Sequence, residues 1–146
     1  LYMLRRYKEA LTEEQKATKL NPYNALYHRE LSCTLYELKD YKEALKEIQK
    51  AIELDPDNPY YHRELNRTLY LLGEYKEALK EAQKAAELDP DNALCHHEIA
   101  LNLYMLGYDE QALTKEQEAV KLEPDNQIYL NSLQYYLELV ESTSNK

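Results

Sequence analysis

Three histidines, His28, His62 and His96, are the side chains that most readily suggest metal chemistry, because imidazole nitrogen is a common zinc ligand. They recur at one constant interval, which residues of other types share. Equivalent positions on successive packed helices lie about 8–10 Å apart, whereas zinc needs ligand atoms at about 2.0–2.3 Å. His97 follows His96 directly and therefore lies on a different helix face. We expect no metal site.

The sequence contains residue types that act in catalysis, but their arrangement matches no catalytic motif. Cys33 is a candidate nucleophile, but no histidine or asparagine position stands out as its base. With Gly73 and Gly107 as its two glycines, the sequence has no glycine-rich phosphate loop. Most carboxylates, such as Glu43 and Glu47, alternate with lysines in stretches typical of a solvated surface. The sequence predicts a protein that is not an enzyme and that needs no cofactor.

The composition restricts the class of partner. The formal net charge of −9 disfavours binding to nucleic acid and to anionic membranes, and no apolar run of about 18 residues predicts a membrane-spanning helix. Cys33 and Cys95 suggest no disulfide framework, so we expect reduced packing residues and a cytoplasmic location. The sequence begins at Leu1 without an initiator methionine, and we expect a piece of a longer protein.

Internal repeats dominate the organisation of the chain. Alanine recurs five and twelve residues before four of the five prolines, and leucine recurs two, eleven and twenty-one residues before them. These four prolines, evenly spaced along the chain, are Pro22, Pro56, Pro90 and Pro124. So many matches at one period indicate repeated structural units. We assign Leu54, which stands two residues before Pro56, to the core.

Each unit contains two helical patterns. Residues 41–52 place their apolar side chains in one helical stripe, and Leu31, Leu35 and Leu38 form a shorter stripe ahead of it. Between the two stripes, glycine supplies the permissive backbone that ends the first helix. The sequence therefore predicts a helix-turn-helix unit that repeats along the chain.

The turn between the helices lacks glycine in two units. Gly73 and Gly107 occupy it in later units, whereas Lys39 and Arg5 stand at the same place earlier. There the turn must avoid the left-handed conformation or accept a cost of about 1–2 kcal/mol.

The Asp-Pro-Asp-Asn block separates one unit from the next. Proline cannot continue the second helix, and it disfavours helix in the residue before it. Asparagine is a favourable N-cap, and proline is acceptable in a first helical turn, as at Pro59. The predicted caps are Asn58, Asn92 and Asn126.

This unit resembles the tetratricopeptide repeat (TPR), most fully in the segment PYYHRELNRTLYLLGEYKEALKEAQKAAELDPDN, residues 59–92. The resemblance implies an all-α fold, a right-handed α-α superhelical repeat solenoid of 34-residue helix-turn-helix units. We expect a single TPR domain over 1–146. It comprises a partial repeat at 1–24, full repeats at 25–58, 59–92 and 93–126, and a C-terminal capping helix with a frayed tail at 127–146.

The sequence departs from the family pattern at a few positions. The family usually has tryptophan or another large aromatic residue where His28, His62 and His96 stand, so we expect these histidines to pack in the same place. It often has glycine or alanine where Ser32 and Asn66 stand.

By resemblance, the first helices of successive repeats line a concave groove that holds an extended peptide or a partner helix. Positions 20, 23, 27 and 30 residues before the repeated prolines share one face of these helices, because they differ by three or four residues. The expected groove residues are Tyr2, Leu26, Arg29, Cys33, Tyr36, Tyr60, Arg63, Arg67, Tyr70, Leu94, His97, Leu101, Tyr104, Asn131 and Tyr135. The predicted groove is therefore rich in tyrosine and arginine.

Such a groove predicts a protein or peptide partner with an acidic or carboxylate group beside apolar anchors, because guanidinium binds carboxylate in a bidentate way and tyrosine adds rigid contact area. In the alternative interpretation, the tyrosines pack helix against helix and the arginines pair with Glu30, Glu64 or their neighbours. Some TPR domains clamp chaperone C-termini with paired lysines and asparagines. We do not expect that clamp, because Cys33 and Leu101 replace the asparagines and the two glutamates carry the wrong charge.

A structural role is the second hypothesis for function. The repeats would then serve self-assembly into a homo-oligomer or act as a spacer in a longer chain. Residues 41–58 and 75–92 are nearly identical, which suggests recent duplication or engineering. An engineered repeat protein would need no natural ligand.

Overall fold

The computed structural model describes residues 2–144, and the chain divides into two compact units, Leu1–Gly73 and Glu74–Lys146. The described residues form α-helices joined by short turns and contain no strand, as predicted. The first unit contains α1 (Tyr2–Leu20), α2 (Ala25–Glu37), α3 (Tyr41–Leu54) and α4 (Pro59–Leu71), and the second contains α5 (Tyr75–Leu88), α6 (Ala93–Met105), α7 (Asp109–Leu122) and α8 (Gln127–Ser144). The boundary falls inside the repeat predicted at 59–92, and the single-domain assignment stays a prediction.

Asparagine side chains begin four of the helices. The predicted caps are confirmed, and Asn24 caps α2 in the same way. In each case the side-chain oxygen accepts a hydrogen bond of 3.0–3.2 Å from the backbone N–H two residues later. Pro59 lies in the first turn of α4 as expected. These bonds satisfy backbone donors that a helix start otherwise leaves without a partner.

Three turns adopt the left-handed conformation. Gly73 and Gly107 have φ of 79° and 81°, and Lys39 has φ of 64°. A side chain at either glycine would have open space around its Cβ, so the backbone angle and not crowding favours glycine there. Lys39 therefore adopts the left-handed conformation at the energetic cost expected for a residue with a Cβ. The turn expected at Arg5 is wrong, because α1 continues through that residue in a stretch without glycine or proline.

Each unit has its own apolar core. In the first, Leu31, Leu35 and Ala44 pack together. In the second, Ile99 and Leu103 are among the residues that pack with alanines of α5 and α7. The alanines recurring five and twelve residues before the later prolines are fully buried and allow close approach of helices: Ala44, Ala51, Ala78, Ala85, Ala112 and Ala119.

One local prediction about packing is wrong. Leu54 is 39% exposed, because it is the last residue of α3 and is followed by a turn in which Pro56 and Asp57 are exposed. The C-terminal segment is helical as far as Ser144, and its serine and threonine hydroxyls donate hydrogen bonds to the carbonyls of Leu139 and Val140. Asn145 and Lys146 lie outside the described residues, and the frayed tail stays a prediction. The predicted closing helix from Gln127 is confirmed.

The repeated histidines fasten the start of each first helix to the turn before it. In each case the ring Nε2–H donates a hydrogen bond to the carbonyl oxygen of the repeated proline six residues earlier. The donors His28, His62 and His96 lie 2.8, 2.7 and 2.9 Å from the oxygens of Pro22, Pro56 and Pro90. The first two histidines are buried, as expected from the family pattern. The imidazole therefore packs and also satisfies a turn carbonyl.

Candidate functional site

The first unit has a small cavity between the starts of α2 and α4. Its volume is about 310 Å³, and it is lined by Leu26, Arg29, Asn58, Tyr60 and Tyr61. Leu26 and Tyr60 are 48% and 61% exposed, so both present apolar surface at the cavity. Since Asn58 caps α4 through the N–H of Tyr60, the cap also fixes the wall of the cavity. Three of the predicted groove residues thus come together here.

Arg29 and Arg67, two of the predicted groove arginines, have different surroundings. Arg29 is half-buried and forms no ion pair with any described carboxylate. Arg67 Nη1 lies 3.5 Å from Glu64 Oε1, and its guanidinium carbon lies 4.8 Å from the ring centroid of Tyr36. Pairing with Glu64, the alternative weighed from sequence, therefore holds for Arg67. The guanidinium of Arg29 stays available beside the cavity.

Cys33 lies on the same face of α2 as Arg29, and its surroundings favour the neutral thiol. Its thiol donates a hydrogen bond of 3.5 Å to Glu64 Oε2. Burial, together with the charge of Glu64, raises the pKa of Cys33 to about 12, so the thiolate is scarce at neutral pH. Its role here is to join α2 to α4.

The second unit brings together aromatic residues from α6 and α8. The hydroxyls of Tyr104 and Tyr135 share a hydrogen bond of 2.7 Å, and their rings meet edge to face with centroids 5.6 Å apart. Tyr136 lies 5.7 Å from Tyr104 and 5.8 Å from Tyr135, and it is buried. Tyr135 is 47% exposed. The cluster therefore combines a packing residue with accessible aromatic surface.

His97 has a structural environment. Its ring is buried against Tyr129, and its Nδ1 lies 2.9 Å from both carboxylate oxygens of Glu116, which is fully buried. Its neighbours on the predicted face are less enclosed: Leu94 and Leu101 are partly buried, and Asn131 is exposed and accepts a bond from Gln127. His97 therefore belongs to the packed interior of the second unit.

The remaining predicted groove residues differ in burial and in contacts. Tyr36 is half-buried and meets Tyr41 edge to face at 5.4 Å, so part of its surface serves packing. Arg63 and Tyr70 are half-buried and have contacts of their own. The side chain of Tyr2 lies outside the described residues.

Family models match two segments of the chain. The model described as tetratricopeptide repeat matches residues 25–58, and the one described as TPR repeat matches residues 67–107, together just over half of the 146 residues. The chain belongs to the tetratricopeptide repeat family. No curated protein sequence matches this TPR protein.

Solved structures share its fold. MamA from residue 41 to its end, from Desulfovibrio magneticus, is 21% identical with a TM-score of 0.88, over 97% of this chain and 81% of that one. YrrB, described as a TPR protein with an unusual peptide-binding site, is 25% identical with a TM-score of 0.83, over 89% and 67%. The first TPR domain of Spaghetti (RPAP3), bound to the HSP90 peptide SRMEEVD, is 20% identical with a TM-score of 0.77, over 80% and 93%.

The pairing of two buried histidines, His28 and His97, with glutamates was not predicted from the sequence of this TPR protein. His28 Nδ1 lies 2.7 Å from Glu47 Oε2, a pair that joins α2 to α3, and His97 with Glu116 joins α6 to α7. In both pairs the glutamate follows the histidine by 19 residues. That recurring spacing, which links the two helices of one TPR unit, is the signal that could have identified them.

A larger cavity of about 570 Å³ lies between α1 and α3 in the first unit, on a different face of α2 from Arg29. Leu11, Leu31 and Leu35 form its apolar part, and Glu47 and Lys50 on its edge bond to each other at 2.7 Å. Among the described residues no group of three histidines, cysteines or carboxylates is placed to hold a metal ion. None of the described helices is long and apolar enough to cross a bilayer.

Proposed function

We propose that this TPR protein is a non-enzymatic interaction module that binds a protein or peptide carrying an acidic group beside apolar anchors. The observation that carries the proposal is the Arg29 guanidinium, which has no ion-pair partner among the described residues and lies beside exposed Leu26 and Tyr60. The net charge of the whole chain, −9, favours a protein partner over nucleic acid. Neither Cys33 nor Cys95 forms a disulfide, which supports a cytoplasmic location.

The cavity between α2 and α4 suits one side of a peptide. Leu26, Tyr60 and Tyr61 provide apolar and aromatic walls for an aliphatic side chain, and Arg29 provides a bidentate donor for a carboxylate. A volume of about 310 Å³ holds one or two side chains rather than a whole ligand. The remaining predicted groove residues of α2 and α4 would extend the contact along the peptide.

Other TPR proteins support the class of partner. YrrB is described as having a peptide-binding site, and the RPAP3 domain is bound to an acidic peptide that also contains methionine and valine. These proteins share the fold with this chain. The acidic feature is our inference from Arg29 and is independent of that comparison.

The test is an array of seven-residue peptides that contain glutamate or aspartate next to leucine, isoleucine or methionine. Each peptide has a matched version in which the acidic residues are replaced by glutamine or asparagine. The strongest binder is then titrated by fluorescence anisotropy. We expect the acidic version to bind better, and Arg29→Gln to weaken it about tenfold, because a bond to a charged group contributes about 1.5–3 kcal/mol.

Arg5→Gln is the matched control, because Arg5 is exposed on α1, pairs with Glu9 and lies outside the cavity. It should bind as the unmodified protein does. Raising the salt concentration should weaken the acidic peptide more than its amide version. Equal affinity of the two versions, or unchanged binding by Arg29→Gln, would show that the proposed site is wrong.

Self-association is the second candidate function. Met3 and Leu4 on α1 are 56% and 47% exposed, and Leu4 lies at a cavity of about 410 Å³ with Arg5, Lys8 and Thr12. Apolar exposure of this kind is common at protein interfaces. Light scattering after size exclusion separates the candidates: a concentration-dependent oligomer that Leu4→Lys dissociates would favour assembly.

A further inference from the structure

Tyr36 of α2 and Tyr104 of α6 occupy the same position in their repeats but have different neighbours. Over the ring of Tyr36 lies the Arg67 guanidinium of α4, 4.8 Å from the ring centroid. A cation at this distance from an aromatic face is attracted by the ring quadrupole. The first unit therefore supplies its own cation to its tyrosine.

The second unit has the same positions, two repeats further along the chain, but lacks the cation. Tyr104 takes the place of Tyr36, and Tyr135 takes the place of Arg67. The rings of Tyr104 and Tyr135 meet at an interplanar angle of 84°, and the ring of Tyr136 packs against both of them. Buried Tyr136 accounts for packing, whereas Tyr135 keeps 47% of its surface exposed. An aromatic surface thus lies where the first unit has an occupied cation–π pair.

The charge around this cluster is negative. Helices α6 and α8, which carry its tyrosines, contain no lysine or arginine, whereas α2 and α4 contain three arginines. The first unit has twelve basic and twelve acidic residues, and the second has six and fifteen, so the net charge of −9 resides in the second. The bond to Tyr104 raises the pKa of Tyr135, and burial and the nearby charge of Asp109 add to the effect. The surroundings therefore favour a positive ligand.

We propose that Tyr104 and Tyr135 bind a cationic side chain, an arginine, of a protein partner. Guanidinium is planar, stacks on aromatic faces and is weakly hydrated, which makes it a better occupant than ammonium. This site rests on the proposed function as an interaction module, and it adds a basic feature of the partner that the second unit recognises. It is separate from the acidic feature assigned to Arg29 in the first unit.

The test uses the pentapeptide acetyl-Gly-Ser-Arg-Ser-Gly-amide and its citrulline version, which has nearly the same shape without the charge. Binding to the full chain is followed by NMR of the tyrosine ring protons. We expect saturable shifts at Tyr104 and Tyr135, and about fivefold tighter binding of the arginine peptide, as a partly exposed cation–π contact implies.

Three variants separate the aromatic site from general attraction to an acidic protein. Tyr135→Leu leaves every charge in place and should remove the preference for arginine, whereas Tyr135→Phe should keep it. Tyr135→Arg should place an internal guanidinium on Tyr104, as Arg67 is placed on Tyr36, and abolish peptide binding. Circular dichroism and the thermal midpoint verify that each variant is folded.

Tyr23→Leu is the control, because Tyr23 is 84% exposed and lies in the first unit. It should bind the arginine peptide normally. Equal binding of arginine and citrulline peptides, or a preference for arginine that survives Tyr135→Leu, would overturn the proposal. Failure here leaves the acidic-peptide test at Arg29 unaffected, since that test measures the contribution of an acidic residue and concerns a different unit.

Discussion

Two glutamates in the first unit show how local contacts decide the sign of a pKa shift. Burial would raise the pKa of Glu47, but hydrogen bonds from Lys50 and His28 outweigh it and lower that pKa below its ordinary 4.5. Burial raises the pKa of Glu14, the charge of Glu30 adds to this, and the bond from Thr34 opposes it. Ionised Glu47 therefore stabilises the fold, whereas ionised Glu14 destabilises it.

We predict that Glu47→Gln lowers the free energy of unfolding at pH 7 by about 1–2 kcal/mol, because it removes a charged acceptor from His28 and Lys50. A lowered folded pKa contributes stability that is present above the unfolded value of about 4.5 and is lost as pH falls through the folded pKa. Urea unfolding at pH 7 and at lower pH should show a smaller acid loss for the variant. An unchanged pH profile would contradict the assignment.

Glu14→Gln provides the comparison of opposite sign. The raised pKa of Glu14 means that its folded state favours the proton, so its contribution increases as pH falls and is unfavourable at neutral pH. The amide can still accept the bond from Thr34, which is 2.9 Å long in the glutamate. We expect Glu14→Gln to be at least as stable as the unmodified protein at pH 7. A clear loss of stability there would show that the carboxylate charge is needed.

At the scale of the helix and its turns, residue type determined most of what could be predicted. Asparagine caps and left-handed glycines follow from donors and backbone angles that involve a few neighbouring residues. The predictions for Arg5 and Leu54 were wrong. The repeat implied a turn at Arg5, but α1 continues through that residue, and it implied a core position for Leu54, which is instead the last residue of α3. A repeat position predicts the average environment and misses the local one.

The strained turn at Lys39 gives a prediction for one element. Its φ of 64° is unfavourable for a side chain with a Cβ, so Lys39→Gly should raise the free energy of unfolding by about 0.5–1 kcal/mol. Gly107→Ala, at φ of 81°, should lower it by about 1 kcal/mol. Denaturant unfolding of both variants measures the two changes. The same sign of change in both would show that the backbone angle does not govern these turns.

At the scale of the whole molecule, the constant period of the repeat was sufficient to predict the helical repeat fold. It placed the candidate binding residues on one helix face but could not tell which of them have partners inside the protein. Arg67, in the following repeat, meets Tyr36, and Cys33 of α2 meets Glu64 of α4. Such pairs depend on side chains from different repeats or helices, so sequence position alone could not separate Arg29 from Arg67.

The uneven charge of the two units gives the last prediction. Repulsion within the second unit, with its net charge of −9, destabilises it at low ionic strength, and added salt screens that repulsion. The first unit is neutral. Repeat proteins also open in parts, so hydrogen exchange can follow each unit separately. We expect salt to increase protection at Ile99 and Leu103 of α6 more than at Leu31 and Leu35 of α2.

Charge-reversal variants test the cause of this difference. Asp125→Lys with Glu141→Lys changes two exposed positions and brings the charge of the second unit from −9 to −5, which should reduce the salt response of α6. Glu53→Lys, at an exposed position of the first unit, should leave that response unchanged. An equal salt response in both units would mean that they open together. A response that persists after charge reversal would mean that salt acts on apolar burial rather than on charge, since salts also strengthen burial.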